Sequence, residues 1–395
     1  MPAWRFSGKE PNMQNCETTD LPGLCGVQIR TTADHAPALS TLQILGLFNL
    51  SDLEPHVDRE LTAVSDGFTL GLHLKPHIAN GWAPESNTLA LNQALQLDTW
   101  LRPDDLTREV VVAMLMAPVA HEFPSVQEFE SAVRIRCNVV QAARKTSLAF
   151  HTSEAERPLD CWIYDDHEGF LLRSGSSLVT ALKKATQPEY SGALYSFSCY
   201  RASEYVILLG IAQELQHRNP DLYLQLETLW TQRTIKSGQF HDVFLREQGS
   251  MEVPLPPYFF VPGDRTWFRN PDEASADASG FEGSWVIYLG AGQFSNFWKH
   301  TEPYTLVDKC LEIYHWRDGL YRDALGDERI DEPKVAQYVA RTRRDPMEMA
   351  RILQLMQRYR EPRGVYTEAG GCIDTTREFA RWVCPGTADL VLPSA

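Results

Sequence analysis

Cys199 is the residue with the clearest potential for covalent chemistry. It lies in "YSFSCYRASEYVILLG", where the apolar run from Tyr200 to about Gln216 predicts a largely buried helix. A cysteine at a helix start faces unpaired backbone N–H groups and the positive end of the helix dipole, and both favour thiolate over thiol. A thiolate there attacks an acyl carbonyl, and nearby N–H groups stabilise the oxyanion. The alternative is a packed core thiol, since free cysteine is among the most buried residue types.

The composition places the chain among ordinary globular proteins. Its 395 residues, 43% hydrophobic and 23% charged, suffice for two or three domains or for one core with additions. A formal charge of -15, from 37 basic and 52 acidic residues, argues against nucleic acid or anionic membranes as partners. We find no apolar run of membrane-spanning length and no signal-peptide h-region, so we expect a cytoplasmic protein.

The eight cysteines are scattered along the chain and form no CxxC pair. This spacing argues against a zinc ribbon and against a thioredoxin-type redox site. Without a secretory signal, we expect reduced thiols rather than a disulfide framework.

The hydrophobic periodicity predicts an α+β fold, with helices packed on a small, mostly antiparallel sheet. Helices are expected within residues 38–50, 101–118, 123–146, 176–187, 200–216, 220–232, 332–344 and 345–364. Strands are expected in a hairpin at 160–175 and within residues 258–271, 283–297 and 364–373. Residues 1–40 are polar and turn-rich, which predicts a loose arm or strap, and residues 51–91 show no clean period.

Five blocks, in order along the chain, resemble the small bacterial transglutaminases of the spore-coat type (protein-glutamine γ-glutamyltransferases). Together they cover about residues 95–297 and 345–380. The blocks are "VRIRCNVVQAARKT", "YSFSCYRASEYVILL", "FFVPGDRTWFRNPDE", "GFEGSWVIYLG" and "DPMEMARILQLMQRYREPRG".

The resemblance implies a fold related to the papain-like cysteine enzymes, with Cys199 as the acyl-accepting nucleophile. In that family the thiol attacks a glutamine side-chain carboxamide and releases ammonia. A lysine amine then attacks the thioester and forms an isopeptide bond. The resemblance also implies that no metal or organic cofactor takes part.

The sequence departs from the family at three functional positions. Ser198 stands where the family has a glutamate immediately before its cysteine, and Ser284 stands where the family has its catalytic strand glutamate. Phe297 stands at the position of the family's histidine. Serine is no general base near neutral pH, so the family's mechanism cannot be transferred unchanged.

His300 is the first candidate for a replacement base. It follows Phe297 by three residues, its reference pKa near 6.5 suits a base for a thiol, and Glu302 or Asp308 could orient it. Glu282 is a second candidate, because residues two apart on a strand share a face and Ser284 lies two positions on. The alternative for both is an exposed side chain at a strand end. His241 is a third candidate.

Four regions are expected along the chain. Residues 1–94 form an N-terminal extension, and residues 95–297 form the transglutaminase-like core. Residues 298–345, rich in Tyr, Trp, Asp and Glu, form an inserted helical segment beside the site, either as a lid or as packing. Residues 346–395 supply a last helix and strand that complete the core.

The sequence favours a cysteine acyltransferase that forms amide bonds through a Cys199 thioester. The acyl donor is a glutamine carboxamide or, as in natural-product assembly, a thioester on a carrier protein, and the acceptor is a primary amine. Loss of both family glutamates fits a thioester donor, because a thioester needs less activation than a carboxamide. Two alternatives stay open, a cysteine deamidase or hydrolase acting on a protein, and a non-catalytic scaffold.

Overall fold

The structure is a computed structural model that describes residues 24–32, 40–149, 155–361 and 370–393. Helices and antiparallel strands alternate irregularly in these ranges, which confirms the predicted α+β class. In the same ranges no helix is both long enough and apolar enough to cross a bilayer.

The helices differ widely in length, and the longest are α5 and α8. In chain order they are α1 (Thr41–Gly46), α2 (Pro76–Trp82), α3 (Leu91–Ala94), α4 (Pro103–Leu115), α5 (Val126–Lys145), α6 (Leu178–Thr186), α7 (Pro188–Ser191), α8 (Cys199–Arg218), α9 (Pro220–Trp230), α10 (Ser237–Phe244), α11 (Glu273–Ala276), α12 (Leu306–Gly319), α13 (Glu332–Thr342) and α14 (Pro346–Met356).

The strands are mostly short. In chain order they are β1 (Val27–Thr31), β2 (Val57–Val64), β3 (Gly67–Leu74), β4 (His121–Phe123), β5 (Trp162–Asp165), β6 (Gly169–Leu172), β7 (Leu245–Gln248), β8 (Arg265–Arg269), β9 (Gly283–Gly290), β10 (Gln293–Phe294), β11 (Tyr304–Thr305), β12 (Leu320–Arg322), β13 (Glu328–Ile330) and β14 (Arg377–Ala380).

Most of the predicted helices form because their start signals are satisfied. Ser125 caps α5 by accepting a hydrogen bond from the backbone N–H of Glu128 at 3.2 Å, and Ser177 caps α6 in the same way. The predicted hairpin at 160–175 is present as β5 and β6, and the two strand segments near the site are β8 and β9.

Three expectations need correction or fall outside the described residues. The predicted loose arm contains the ordered strand β1, while residues 1–23 and 33–39 lie outside the described part. Residues 51–91, unassigned from sequence, form the hairpin of β2 and β3. The strand expected at 364–373 falls mostly on residues that the structure does not describe, and the described strand in this region, β14, begins later.

A four-stranded sheet takes most of its strands from the N-terminal part of the chain. Its order is β2-β3-β1-β4, and β1 pairs antiparallel with β3 and parallel with β4. Three strands therefore come from before residue 95 and one from after it. The apolar side chains of β1 and β3 are buried in the same core as α4, α5 and α8.

The six-stranded sheet supports the site. Its order is β11-β10-β9-β8-β14-β7, and all of its pairings are antiparallel. Side chains of β9 alternate between the two faces, as a pleated strand requires. Ile287 and Leu289 join the core that contains α5 and α8, whereas Val286 and Tyr288 join a second core that contains α12, α13 and α14. Strand β9 therefore lies between two helical layers.

Helices α5 and α8 approach each other closely at Gly210. A Cβ atom built on Gly210 would lie 2.6 Å from Cγ2 of Val139 and 3.1 Å from the backbone nitrogen of that residue. The glycine is therefore needed for close packing of two buried helices. This contact sets how α8, and with it Cys199, sits on the rest of the core.

Replacing Gly210 by alanine should destabilise the protein by about 1–3 kcal/mol, because overpacking the α5–α8 contact outweighs the gain in helix propensity. Gly81 in α2 is the matched control, since a Cβ there meets nothing within 4 Å. Gly81→Ala should leave stability unchanged or raise it by about 0.5–1 kcal/mol. Urea unfolding measures both, and equal effects of the two variants would contradict the packing argument.

Candidate active site

Cys199 is the first residue of the 20-residue helix α8. Ser198 caps this helix, with its side-chain oxygen accepting a hydrogen bond from the backbone N–H of Arg201 at 3.3 Å. The backbone N–H groups of Trp285 and Tyr200 face the Cys199 sulfur and favour its ionised form. The thiol thus lies where the unpaired N–H groups of a helix start meet the start of β9.

Strand β9 reaches the nucleophile because its first residue has no side chain. A Cβ atom on Gly283 would lie 2.3 Å from the indole Nε1 of Trp267 and 2.5 Å from the carbonyl oxygen of Phe268. Glycine lets β9 lie close to β8 at this point. The next two residues, Ser284 and Trp285, are then placed beside Cys199.

The electrostatics of Cys199 differ from the expectation for a helix start. Burial raises the pKa of the Cys199 thiol, and this effect exceeds the opposite effects of the N–H donors and of the Lys309 and Arg265 charges. The expected thiolate is therefore not the resting form at neutral pH. The helix dipole alone does not predict the direction of this pKa shift. The thiol is packed among β8, β9 and α12, which are far from Cys199 in sequence.

Cys199 opens onto a cavity of about 730 Å³. The lining comes from α8, from the start of β9, from the segment around β11 and α12, and from α13. It includes Cys199, Phe281, Ser284, Asn296, Trp298, Lys299, Glu302, Tyr304, Asp308, Lys309, Glu312, Trp316, Glu332, Val335, Ala336, Val339, Ala340 and Arg343.

The structure brings together two of the four predicted site residues. Ser284 lines the cavity with Cys199, and alternation along β9 places it on the same face of the sheet as Val286 and α12. His300 and Glu282 are both exposed, and neither is part of the cavity lining within the described ranges. Their roles remain predictions.

The two carboxylates proposed to orient His300 have other partners. Asp308 accepts hydrogen bonds from the N-cap residue Thr305 and forms an ion pair with Arg343. The Oε2 atom of Glu302 lies 3.9 Å from the Nζ atom of Lys299. The third base candidate, His241, lies in α10 and outside the described cavity lining.

Sequence reasoning missed Lys309, which lines the same cavity as Cys199. Its side chain is only 4% exposed, and its Nζ lies 2.8 Å from a Glu312 carboxylate oxygen and 3.5 Å from the centre of the Tyr304 ring. The sequence did contain a signal for it. Lys309 follows Leu306 by three residues and precedes Ile313 by four, which places it on the buried face of a helix. Because lysine is rarely buried without a partner, that position pointed to a charged site.

One wall of the cavity is apolar and consists of small side chains. Val335, Ala336, Val339 and Ala340 lie on one face of α13 at helical spacing. Trp316 of α12 adds an aromatic surface. The cavity therefore has one charged side, near α12, and one apolar side, along α13.

The donor set around Cys199 contains carboxylates and amines but does not form a metal site. In the described part of the chain, no group of three or more His, Cys, Asp or Glu side chains is arranged to hold a metal ion.

A half-buried cysteine at a helix start, packed on an antiparallel sheet and open to a cavity, has the position that a nucleophile for acyl transfer needs. The model of the family described as TGL, protein-glutamine gamma-glutamyltransferase, matches residues 86–390. The chain therefore belongs to the protein-glutamine gamma-glutamyltransferase family, and it is a transglutaminase-like acyltransferase. The resemblance predicted from the five sequence blocks is confirmed.

Comparison with solved structures identifies a transglutaminase from Geobacillus stearothermophilus, without its C-terminal extension. The similarity covers 54% of this chain and 98% of that chain, with 20% sequence identity and a TM-score of 0.37. No curated protein matches the chain significantly.

Replacing Ser198 by alanine should lower the free energy of unfolding by about 1 kcal/mol, because the N–H of Arg201 loses its cap. Ser198→Asp is the matched control, since aspartate is an equally good cap and should restore most of the stability. Chemical denaturation measures the difference. If alanine and aspartate behave alike, Ser198 does not act as a cap.

Proposed function

We propose that this protein forms amide bonds by transferring an acyl group through a thioester at Cys199. The observation that carries the proposal is the position of the thiol. It lies at the start of α8, faces two backbone N–H groups and opens onto the cavity. Those N–H groups are suited to hold negative charge on the sulfur or on an adjacent oxyanion.

In the first step the Cys199 sulfur bonds to the acyl carbon and the bond to the leaving group breaks. The thiol proton leaves with that group, as ammonia from a carboxamide or as a free thiol from a thioester. In the second step a primary amine bonds to the same carbon, the sulfur–carbon bond breaks, and a proton returns to the sulfur. The products are an amide and free Cys199, with no redox change.

A carrier-bound thioester is the acyl donor that the site suits best. Ser198 serves as a helix cap, and Ser284 lines the cavity in place of the family's glutamate. Neither serine can serve as the general acid–base group that expulsion of a poor leaving group requires near neutral pH. A thioester places a smaller demand on the site than a carboxamide, because its leaving group departs more readily. With that donor, the role we propose for the protein is in natural-product assembly.

A non-catalytic scaffold is the second candidate, and one observation favours it. Burial raises the pKa of the Cys199 thiol, so the resting nucleophile is weak. The acyl-adduct experiment described next separates the two functions.

Intact mass spectrometry should detect an acyl adduct after incubation with an acyl-pantetheine thioester, and much less adduct with a glutamine peptide. Cys199→Ala should abolish the adduct. Cys137→Ala is the matched control, because that half-buried cysteine lies in α5 outside the cavity lining, and the adduct should persist. Absence of any adduct with either donor would support the scaffold.

His300 is the predicted general base and can be tested in the same assay. Its loss in His300→Ala should slow adduct formation by about a hundredfold, the contribution usual for a general base. His77 in α2 is also exposed, and His77→Ala is the control. If the rates of the two variants match that of the unmodified protein, His300 is not the base.

A further inference from the structure

Lys309 is a buried cation in the wall of the Cys199 cavity. It lies on α12, and its ammonium group is enclosed by the carboxylate of Glu312 and the ring of Tyr304. The Tyr304 hydroxyl in turn donates a hydrogen bond of 3.4 Å to the other oxygen of Glu312. These contacts fix the position of the charge. The Lys309 ammonium group is therefore preorganised in the cavity wall and does not extend into solvent.

Two other cations line the same cavity, and both differ from Lys309 in their exposure. The side chain of Lys299 is 69% exposed, and that of Arg343 is 46% exposed and paired with Asp308. Water screens such charges strongly. Lys309 is therefore the cavity cation whose field is least weakened by solvent.

We infer that Lys309 is the counter-ion of the Cys199 thiolate, and that Glu312 and Tyr304 are the positioning residues that hold it there. The inference rests on the proposed function and deepens it, because it names the group that helps a buried thiol to ionise during acyl transfer. Lys309 supplies charge and is not itself the base.

The charges around the thiol explain why a cation belongs in this place. A carboxylate next to a thiol opposes formation of the thiolate, since like charges repel. At positions 198 and 284 the chain carries neutral serines, and the fixed charge facing the sulfur from α12 is positive. The site therefore favours negative charge on sulfur more than a site with flanking glutamates would.

Lys309 remains protonated at neutral pH. Burial lowers the pKa of Lys309, but the negative charge of Glu312, together with Tyr304 and Cys199, raises it by more, so the net shift is upward. The charge on Lys309 is thus present at neutral pH.

The cavity lining also contains the carboxylates of Glu302, Asp308 and Glu332, and further titratable groups act on this pair from other elements. Arg265 of β8 lowers the pKa of Cys199 less than Lys309 does, and Cys372, before β14, interacts with Lys309. On α13, Glu332 interacts with Glu312, which itself is paired with Lys309.

The test is the pH dependence of Cys199 alkylation by iodoacetamide, followed by peptide mass spectrometry. Lys309→Met should move the alkylation profile to higher pH by about one pH unit, which slows the reaction about tenfold at neutral pH. The double variant Lys309→Met/Glu312→Gln, which leaves no unpaired carboxylate, should show the same direction of change. Lys309→Arg should restore part of the rate.

Lys299→Met is the matched control, since it removes the same charge from the same cavity at an exposed position. Its alkylation profile should match that of the unmodified protein. Thermal melting of each variant establishes that it is folded. A folded Lys309→Met or double variant with an unshifted profile would overturn the inference, and so would a shift of equal size in Lys299→Met.

The inference and the proposed function fail in different ways. A shifted alkylation profile without any acyl adduct would support Lys309 as the counter-ion and contradict acyl transfer. An acyl adduct together with an unshifted alkylation profile in Lys309→Met would support acyl transfer and contradict Lys309 as the counter-ion.

Discussion

The placement of β9 between two helical layers is the constraint on which the site depends. One face of this strand packs against the layer of α5 and α8, and the other packs against the layer of α12 to α14. The nucleophile belongs to the first layer and Lys309 to the second. Without the strand between the two layers, nothing would fix the position of Lys309 relative to Cys199. The backbone of β9 also contributes directly, through the N–H of Trp285.

Burial and charge act against each other at the thiol. Removing a thiolate from water is unfavourable, and at Cys199 this effect prevails in the resting protein. The N–H donors and the Lys309 charge reduce the unfavourable effect without cancelling it. Such a thiol is protected from indiscriminate reaction in the resting protein. The activated thioester donor proposed above is consistent with this balance.

Local sequence patterns predict much of this fold and one part of the site. Helices α5, α6 and α8 follow from apolar periodicity and from cap residues such as Ser125, and Cys199 is recognisable because it begins such a helix. Strand β2 was not predicted, because it is largely exposed and lacks an apolar alternation. Strand β3 does alternate, with Leu70, Leu72 and Leu74 buried, and was not predicted either. Lys309 was missed because its importance comes from sharing a cavity with Cys199, which lies more than a hundred residues earlier in the chain. The direction of the Cys199 pKa depends on the same long-range packing, which no local pattern contains.

The wall of small side chains on α13 has a consequence for how this protein can diversify. Ala336 and Ala340 lie more than a hundred residues after the nucleophile, on a helix that contributes few groups to the reacting centre. Changes in their size would reshape the cavity while leaving the thiol, its N–H donors and the Lys309 charge in place. The apolar wall of the cavity and the surroundings of the thiol are thus carried by separate segments of the chain. Natural variation can change the size and shape of the cavity without changing the surroundings of the thiol.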